Sequence, residues 1–428
     1  MIKQQFLALI LGINRGISML LTLSLIIVVG FALSELFFRL RLPRIIGLLF
    51  AGILIGPYVF DLIAPEMLAI SIDLRQIALV IILIRAGLSL DLKDLKKVGR
   101  PALLLSFIPA TMEIIGILIL GPLLLGLTFI ESAVLGSILA AVSPAVVVPK
   151  MLKLIDDKQG TKKRIPQLIM AGASVDDIYV IVLFTQFVQM AQTGAVSWTR
   201  LLFLPISIIL GVGVGVLIGL LFVSFFKRFH LRDTAKVLLI LSFSLFFVTI
   251  EHEFSHIVPY SGLISVLAMG ITILTKYRLL ASRLVKKYEK IWVFTETLLF
   301  VLVGTAVDIT TIPNIGLMAI IVVFGSLIFR SIGVLLATIK TGLKNKEKIF
   351  VIEAYLPKAT VQASIGSIPL ALGIGNGNTM LTLAVISILI TAPLGALLID
   401  MTKNKLLESA DAIKKQTAAQ EEVIVSGL

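Results

Sequence analysis

The stretch IPQLIMAGASVDDIYVIVLFTQFV, residues 165–188, places two adjacent carboxylates, Asp176 and Asp177, inside an apolar segment. One carboxylate at the centre of a bilayer costs on the order of 2.5–3.5 kcal/mol on insertion scales, so a pair there needs a function. Counted from Ile165 at about 1.5 Å per residue, the pair lies roughly 17 Å into a membrane about 30 Å thick. The stretch therefore predicts a transmembrane helix whose buried carboxylates hold a cation or a proton.

The composition of the whole chain indicates an integral membrane protein. Of its 428 residues, 58% are hydrophobic and 15% are charged, and the mean hydropathy is +1.07, well above that of a soluble domain. There is no cysteine, which excludes disulfides and thiolate metal sites. The net charge of +13 lies in short loops between apolar runs, as the positive-inside rule predicts. We therefore expect membrane lipid, and no nucleic acid, around the protein.

Thirteen apolar segments are each long enough, with tilt, to cross a bilayer. They span residues 17–38, 44–60, 74–92, 101–126, 131–153, 165–190, 200–226, 237–254, 259–275, 291–309, 313–339, 348–372 and 377–400. Basic loops, among them the run KYRLLASRLVKKYEK, alternate with loops that carry few bases. Placing the bases in the cytoplasm puts the N-terminus outside and the C-terminus inside, with residues 403–428 as a short cytoplasmic tail.

The two halves of the chain on either side of segment 7 look alike. Two residues of the first half, a glycine and an aspartate, recur in the second half at the same spacing, and in each half an intramembrane charge lies 26 positions after the glycine. The pairs are Gly87 with Gly304, Asp91 with Asp308, and Glu113 with Arg330. This pattern predicts two six-helix repeats of inverted topology, an arrangement common in secondary transporters, whose site lies at the repeat interface.

Proline and polar residues interrupt one segment in each half. Segment 5 carries AAVSPAVVVPKM, and segment 12 carries AYLPKATVQASIGSIPL. Proline lacks a backbone donor and clashes with the preceding turn, so both helices are expected to unwind near their centres; simple proline kinks are the alternative. Unwound backbone is tolerated at this depth only where it is buried in protein or lines a wet cavity. The residues of interest there are Ser143, Pro144, Pro149, Pro357, Lys358 and Thr360.

Four strings of the sequence carry a resemblance to a known family. These are IILIRAGLSLDLKDLKK, VSPAVVVPKML, ASVDDI, and KEKIFVIEAYLPKATVQASIGS followed by SILITAPLGALLI. They resemble the NHA-type sodium/proton antiporters of the monovalent cation:proton antiporter superfamily, over about residues 70 to 400. The resemblance implies an all-α membrane protein of 13 helices per protomer, with two crossing broken helices in its core. It also implies a homodimer that exchanges Na⁺ or Li⁺ for H⁺, needs no cofactor and is not an enzyme.

The resemblance further implies a division into a scaffold and a core that slides against it. Scaffold and dimer helices fall in residues 17–92 and 237–309, core helices in 101–190 and 313–400, and a linker helix in 200–226. We expect such a protein in the cell membrane of a prokaryote.

By position, the resemblance assigns a role to each charged residue of the core. Asp177 resembles the main ion-binding carboxylate and Asp176 its neighbour, although Asp176 is alternatively a residue that only steadies the core. Glu113 and Arg330 are expected to form a buried ion pair. Two residues of the second broken helix, Lys358 and Thr360, are expected to balance the charge of its ends. Ser143, a further candidate ligand, stands where many relatives have an acidic residue.

Competition for Asp177 explains exchange without any further partner. A carboxylate in low dielectric holds its proton more tightly than in water, and sodium prefers oxygen ligands. Many electrogenic relatives hold a lysine, thought to carry a second proton, where this chain has Arg330. Because a guanidinium stays protonated, we expect electroneutral exchange. Lys358 is the alternative proton carrier.

Other functions remain as alternatives. His252, Glu253 and His256 spell HEFSH, the pattern of a zinc metalloprotease, but Pro259 follows closely and we expect no metal site. An intramembrane aspartyl protease needs its two aspartates on different helices, whereas these are neighbours. A potassium/proton antiporter is the nearest alternative, and a sodium-coupled symporter of an organic solute is another.

Overall fold

The computed structural model describes residues 17–89, 99–193, 198–254, 258–310 and 312–408. Within these ranges every regular element is a helix. Residues 1–16, Asp91, His256 and most of the predicted tail lie outside the described part of the chain.

The first half of the described chain contains eight helices. They are α1 Met19–Arg39, α2 Arg44–Ile55, α3 Pro65–Ala69, α4 Ser71–Ser89, α5 Arg100–Leu125, α6 Phe129–Leu139, α7 Pro144–Asp156 and α8 Ile165–Thr193. The apolar segments form helices because backbone groups in lipid must bond within their own segment.

The second half begins with a long helix that corresponds to the predicted linker. Its described helices are α9 Trp198–Arg228, α10 Asp233–Phe254, α11 Gly262–Lys276, α12 Arg278–Thr305, α13 Ile312–Ala337, α14 Asn345–Ala354, α15 Thr360–Ile365, α16 Ile368–Ala371 and α17 Gly377–Leu406.

The described helices make this an integral membrane protein. Eight of the helical spans in the described ranges are long and apolar enough to cross a membrane, and α2 and α11 are shorter apolar helices. All thirteen predicted segments overlap a described helix. Because α4 and α12 are more charged than the eight spans, and segment 12 is divided among the short helices α14, α15 and α16, thirteen crossings stay a prediction.

One predicted loop is wrong. Segment 10 was expected to begin at residue 291 after a basic loop, but α12 begins at Arg278. The reason is an apolar stripe at helical spacing in the charged run: Leu280, Leu284 and Tyr288 are buried, and the Tyr288 hydroxyl donates to the carbonyl of Val237 in α10 at 2.8 Å. Such a stripe favours a helix packed on its neighbours over a solvated loop.

Segment 2 ends earlier than predicted. It was expected to reach residue 60, but α2 ends at Ile55 and Gly56 is extended. Pro57 follows, and the residue before a proline is disfavoured in the helical region, so the helix stops there.

The helices pack as two sets. One set contains α5 to α8 and α13 to α17, and the other contains α1 to α4 and α9 to α12. Packing is extensive within each set, whereas contact between the sets runs chiefly through α15 against α4 and α12, and through α8 against α9 and α11. The division into a core and a scaffold stays a prediction; the two sets have the same boundaries, with the predicted linker helix α9 packed in the second set.

Two close helix approaches relate the halves. A Cβ at Gly87 of α4 would collide with the Leu267 carbonyl and Gly270 of α11, and one at Gly304 of α12 would collide with the Leu49 carbonyl and Gly52 of α2. Segment 3 thus packs against segment 9, and segment 10 packs against segment 2. In the predicted repeat segment 3 corresponds to segment 10 and segment 2 to segment 9, so the two contacts are equivalent. The inverted repeat stays a prediction, and this relation supports it.

Candidate ion-binding site

The two predicted helix breaks are present and lie against each other. Helix α6 ends at Leu139 and α7 begins at Pro144, while α14 ends at Ala354 and α15 begins at Thr360. The Ser143 N–H donates to the Pro357 carbonyl across the breaks at 2.8 Å. The prediction that both helices unwind is therefore confirmed, although Pro149 is held inside α7 without a break.

Three donors satisfy the open end of α6. The carbonyl of Leu139 accepts from Lys358 Nζ, that of Ala140 accepts from Arg330 Nη1, and that of Ala141 accepts from Gln362 Nε2 at 2.9 Å. The last carbonyls of a helix lack partners within it and carry partial negative charge. Two cations and an amide therefore stabilise the unwound backbone, which fits the predicted charge balance by Lys358.

Glu113 lies between the two buried cations. Its Oε2 is 2.8 Å from Arg330 Nη1 and its Oε1 is 2.7 Å from Lys358 Nζ. The Ser326 hydroxyl donates to Oε1 at 2.9 Å. The carboxylate and both cations are fully buried, so Glu113 contacts not one cation, as the sequence predicted, but two.

Arg330 connects Glu113 to the aspartate pair. Its Nη2 is 3.0 Å from Asp176 Oδ2, and its Nε donates to the Tyr355 carbonyl at 2.6 Å. The same Asp176 oxygen accepts from the Val142 N–H in the first break at 2.8 Å. Asp176 is therefore tied to both a cation and the unwound backbone through one oxygen.

Asp177 differs from its neighbour. Asp176 is fully buried, whereas Asp177 is partly exposed, and Asp177 makes no ion pair with any described residue. Its Oδ1 is a buried atom without a hydrogen-bond partner, as are Asp176 Oδ1, Ser143 Oγ and Thr360 Oγ1. Buried polar atoms in folded proteins are normally hydrogen-bonded, so each of these four oxygens can accept from, or coordinate, a ligand or water.

The structure thus gathers most of the predicted site residues around the two breaks. Most of the rival zinc pattern lies outside the described part of the chain, since His256 and the side chain of His252 are not described. Among described residues, no group of three or more His, Asp and Glu side chains could hold a metal ion.

Two buried polar residues that make contacts between distant segments, Gln362 and Arg75, were not predicted from the sequence. Gln362 was visible as a polar residue in an apolar segment, but its partners lie in the other half of the chain. Arg75 of α4 is buried and donates to the Ser367 hydroxyl next to α16, so it joins the two sets of helices. The sequence did contain a signal for Arg75, because a charge inside an apolar segment is costly unless it has a partner or a function.

A family model described as "Sodium/hydrogen exchanger, transmembrane" matches residues 20–402. The chain belongs to the sodium/hydrogen exchanger family. Human sodium/hydrogen exchanger 9B2 is 34% identical over 398 residues, which cover 90% of this chain and 73% of that protein. Human sodium/hydrogen exchanger 9B1 is 32% identical over 381 residues, covering 86% and 73%. The resemblance stated from the sequence is confirmed.

A solved structure shares the fold of this exchanger family member. It is the sodium proton antiporter MjNhaP1 from Methanocaldococcus jannaschii, with a TM-score of 0.77 and 20% identity, covering 90% of this chain and 97% of that chain. The relatives come from humans and an archaeon, so a prokaryotic origin for this chain stays a prediction.

Proposed function

We propose that the protein exchanges Na⁺ or Li⁺ for H⁺ across a membrane, and that Asp177 is the carboxylate that binds either one. The observation that carries this proposal is the charge balance of the site. Glu113 and Asp176 contact two cations, Arg330 and Lys358, and this cluster of four is neutral. Asp177 adds one negative charge that no described cation contacts.

Ion coordination follows from the oxygens around that charge. Sodium and lithium are hard cations that take oxygen ligands. Asp177 Oδ1, Asp176 Oδ1 and Ser143 Oγ lack hydrogen-bond partners, and Ser143 follows Val142, which is bonded to Asp176. These oxygens are the proposed ligands, with water completing the shell. Thr360 Oγ1 is a further candidate from the second break.

A proton is the competing ligand because it neutralises the same carboxylate. In low dielectric an unpaired carboxylate is costly, so Asp177 is stable only with a cation or a proton bound. Either species leaves the whole site neutral, which makes the two states equivalent in charge.

Movement of a neutral core completes the exchange. Residues that follow Asp177 on α8 pack against apolar residues of the other helix set; the side chains at this contact are Ile178, Ile181, Val182, Leu83, Leu263 and Ile264. A charged site would oppose passage along such a surface, whereas a neutral one would not. We assign α5 to α8 and α13 to α17 to the moving core, and the remaining helices to the scaffold of a homodimer, as in an elevator mechanism.

Transport in proteoliposomes containing an internal pH dye tests this function. Addition of sodium or lithium is expected to drive protons out of wild-type vesicles, and Asp177→Asn is expected to reduce that signal to the level of protein-free liposomes. A wild-type rate in Asp177→Asn would end the proposal. A response to potassium alone would assign potassium/proton exchange instead.

The neighbouring residue supplies a matched control for Asp177. Asp176→Asn removes the same charge one position away, but one carboxylate oxygen of Asp176 already accepts hydrogen bonds from Arg330 and Val142. We expect weaker apparent sodium affinity with exchange retained. If both variants fold and both lose exchange completely, Asp176 is as necessary as Asp177, and the different roles proposed for the two residues are wrong.

A further inference from the structure

Tyr355 is the first residue of the second break, directly after α14, and its side chain is fully buried. Its carbonyl accepts from Arg330 Nε, and the guanidinium carbon of Arg330 lies 5.4 Å from the centre of its ring. The same guanidinium contacts Glu113 and Asp176. The tyrosine ring is therefore held beside the central cation of the ion site.

The hydroxyl of Tyr355 reaches across to α8. A Cβ at Gly172 would collide with this oxygen, so the hydroxyl lies directly against the helix at that position. Asp176 follows four residues later, on the same face of the helix. Helical side chains lean toward the N-terminus of their helix, so the Asp176 carboxylate covers the turn that begins at Gly172. The tyrosine hydroxyl and the carboxylate therefore lie over one turn of α8.

Both groups have a buried oxygen with no hydrogen-bond partner among the described residues. These oxygens are Tyr355 Oη and Asp176 Oδ1, whereas Asp176 Oδ2 accepts from Val142 and Arg330. A buried tyrosine hydroxyl normally has a partner. Buried water typically makes about three hydrogen bonds to groups that are otherwise unpaired. One water between the two oxygens would satisfy both.

We propose that Tyr355 is a further positioning residue of the ion site, an inference that rests on the proposed function. Its hydroxyl donates to a water that in turn donates to Asp176 Oδ1, and this water belongs to the hydration shell of the bound cation. A sodium or lithium ion needs oxygen ligands beyond those that the side chains supply, and an ordered water is nearly as good as a direct contact. A proton on Asp177 needs no such shell. The hydroxyl therefore favours the cation in its competition with the proton.

Tyr355→Phe removes only the hydroxyl, and sodium-driven exchange in proteoliposomes measures the effect. We expect the apparent KM for sodium to rise about threefold to tenfold, as for the loss of one hydrogen bond, with the rate at saturating sodium retained. Binding gives a second measurement that does not depend on transport. In detergent, a fixed sodium concentration should raise the Tm of this variant less than that of the wild type.

Two further variants separate hydrogen bonding from packing. Tyr288→Phe removes the hydroxyl of another fully buried tyrosine, which donates to the Val237 carbonyl in the other set of helices. We expect it to lower the Tm and to leave the KM unchanged. Gly172→Ala/Tyr355→Phe places a methyl group where the hydroxyl was, 3.4 Å from the ring carbon Cζ and 3.0 Å from Leu105 Cβ. This methyl group fills the space but cannot bind water, so the KM should stay as high as in Tyr355→Phe.

The outcomes distinguish this inference from the proposed function. A wild-type KM in Tyr355→Phe, with Asp177→Asn inactive, would overturn the inference and leave the proposed function standing. A wild-type KM in the double variant alone would assign the hydroxyl to packing and would also overturn the inference. Wild-type vesicles without any sodium- or lithium-driven proton flux would overturn the proposed function, and this inference with it.

Discussion

Arg330 is the residue that holds the candidate site together. All three guanidinium nitrogens are engaged, with Glu113, Asp176 and the carbonyls of Ala140 and Tyr355. A planar guanidinium presents five donors in a fixed fork, whereas an ammonium presents three from one point. Arginine can therefore contact two carboxylates and two helix breaks at once, while staying charged throughout a transport cycle.

Glu113→Gln is expected to lower the free energy of unfolding by about 3–5 kcal/mol, because removing one partner of a buried pair leaves the other charge uncompensated. Here the change leaves both Arg330 and Lys358 without their shared carboxylate. Thermal or denaturant unfolding of the purified protein in detergent measures the loss. The exposed carboxylate Glu66 provides the control, since Glu66→Gln should change stability by less than about 0.5 kcal/mol.

The double variant Glu113→Gln/Arg330→Met separates charge balance from simple loss of contacts. It leaves Lys358 and Asp176 as one cation and one anion, so the core is again neutral. We expect its destabilisation to be smaller than the sum of the two single effects. Additive destabilisation would show that Glu113 and Arg330 act independently.

At the residue scale, the intramembrane charged residues were predictable, and most of the partners that they contact were not. Asp177, Glu113 and Arg330 stand out in the sequence because a charge in an apolar segment is costly. That Lys358 contacts Glu113 could not be read from the chain, since 245 positions separate them. Backbone carbonyls such as Leu139 carry no sequence signal at all.

At the element scale, the close helix approaches depend on glycine. A methyl group at Gly304 would meet the backbone of Leu49 and Gly52, and one at Gly87 would meet Leu267 and Gly270. Backbone cannot yield as a flexible side chain can, so overpacking of this kind costs about 1–3 kcal/mol.

Gly87→Ala and Gly304→Ala are therefore each expected to lower the Tm in detergent, and by similar amounts if the two sites are related by the repeat. Gly213→Ala is the control, because nothing lies within 4 Å of the added carbon. That change should be neutral or stabilising, by up to about 1 kcal/mol from helix propensity. An unchanged Tm in the two test variants would contradict the close packing.

The elements themselves were predictable where local chemistry is strong. Proline in an apolar segment predicted both breaks, because it cannot donate and clashes with the preceding turn. The start of α12 at Arg278 was missed because charged residues there were interpreted as a loop. The apolar stripe among these charged residues stabilises a helix only when α10 packs against it, and that tertiary contact cannot be read from the sequence of the run itself.

At the scale of the whole molecule, the two halves contribute different charges to one neutral cluster. Glu113 comes from the first half and Arg330 from the matching position of the second half, and they contact each other. Equal spacing predicts the repeat, which stays a prediction, but the spacing does not indicate that these two charges contact each other. Because Glu113 and Asp176 pair with Arg330 and Lys358, Asp177 is the carboxylate of the site that no described cation contacts.

From that balance we expect electroneutral exchange of one cation for one proton. Arg330 cannot release a proton in each cycle, and Lys358 donates to both Glu113 and the Leu139 carbonyl, so its charge is needed in place. We expect sodium-driven proton flux in proteoliposomes to be independent of a membrane potential clamped with potassium and valinomycin. Arg330→Lys is an informative comparison, because an ammonium can lose its proton when buried; a voltage dependence confined to that variant would support the fixed charge of Arg330. Rates or end points of the wild type that shift with the clamped potential would mean that unequal charges cross, and that Lys358 or another group carries a second proton.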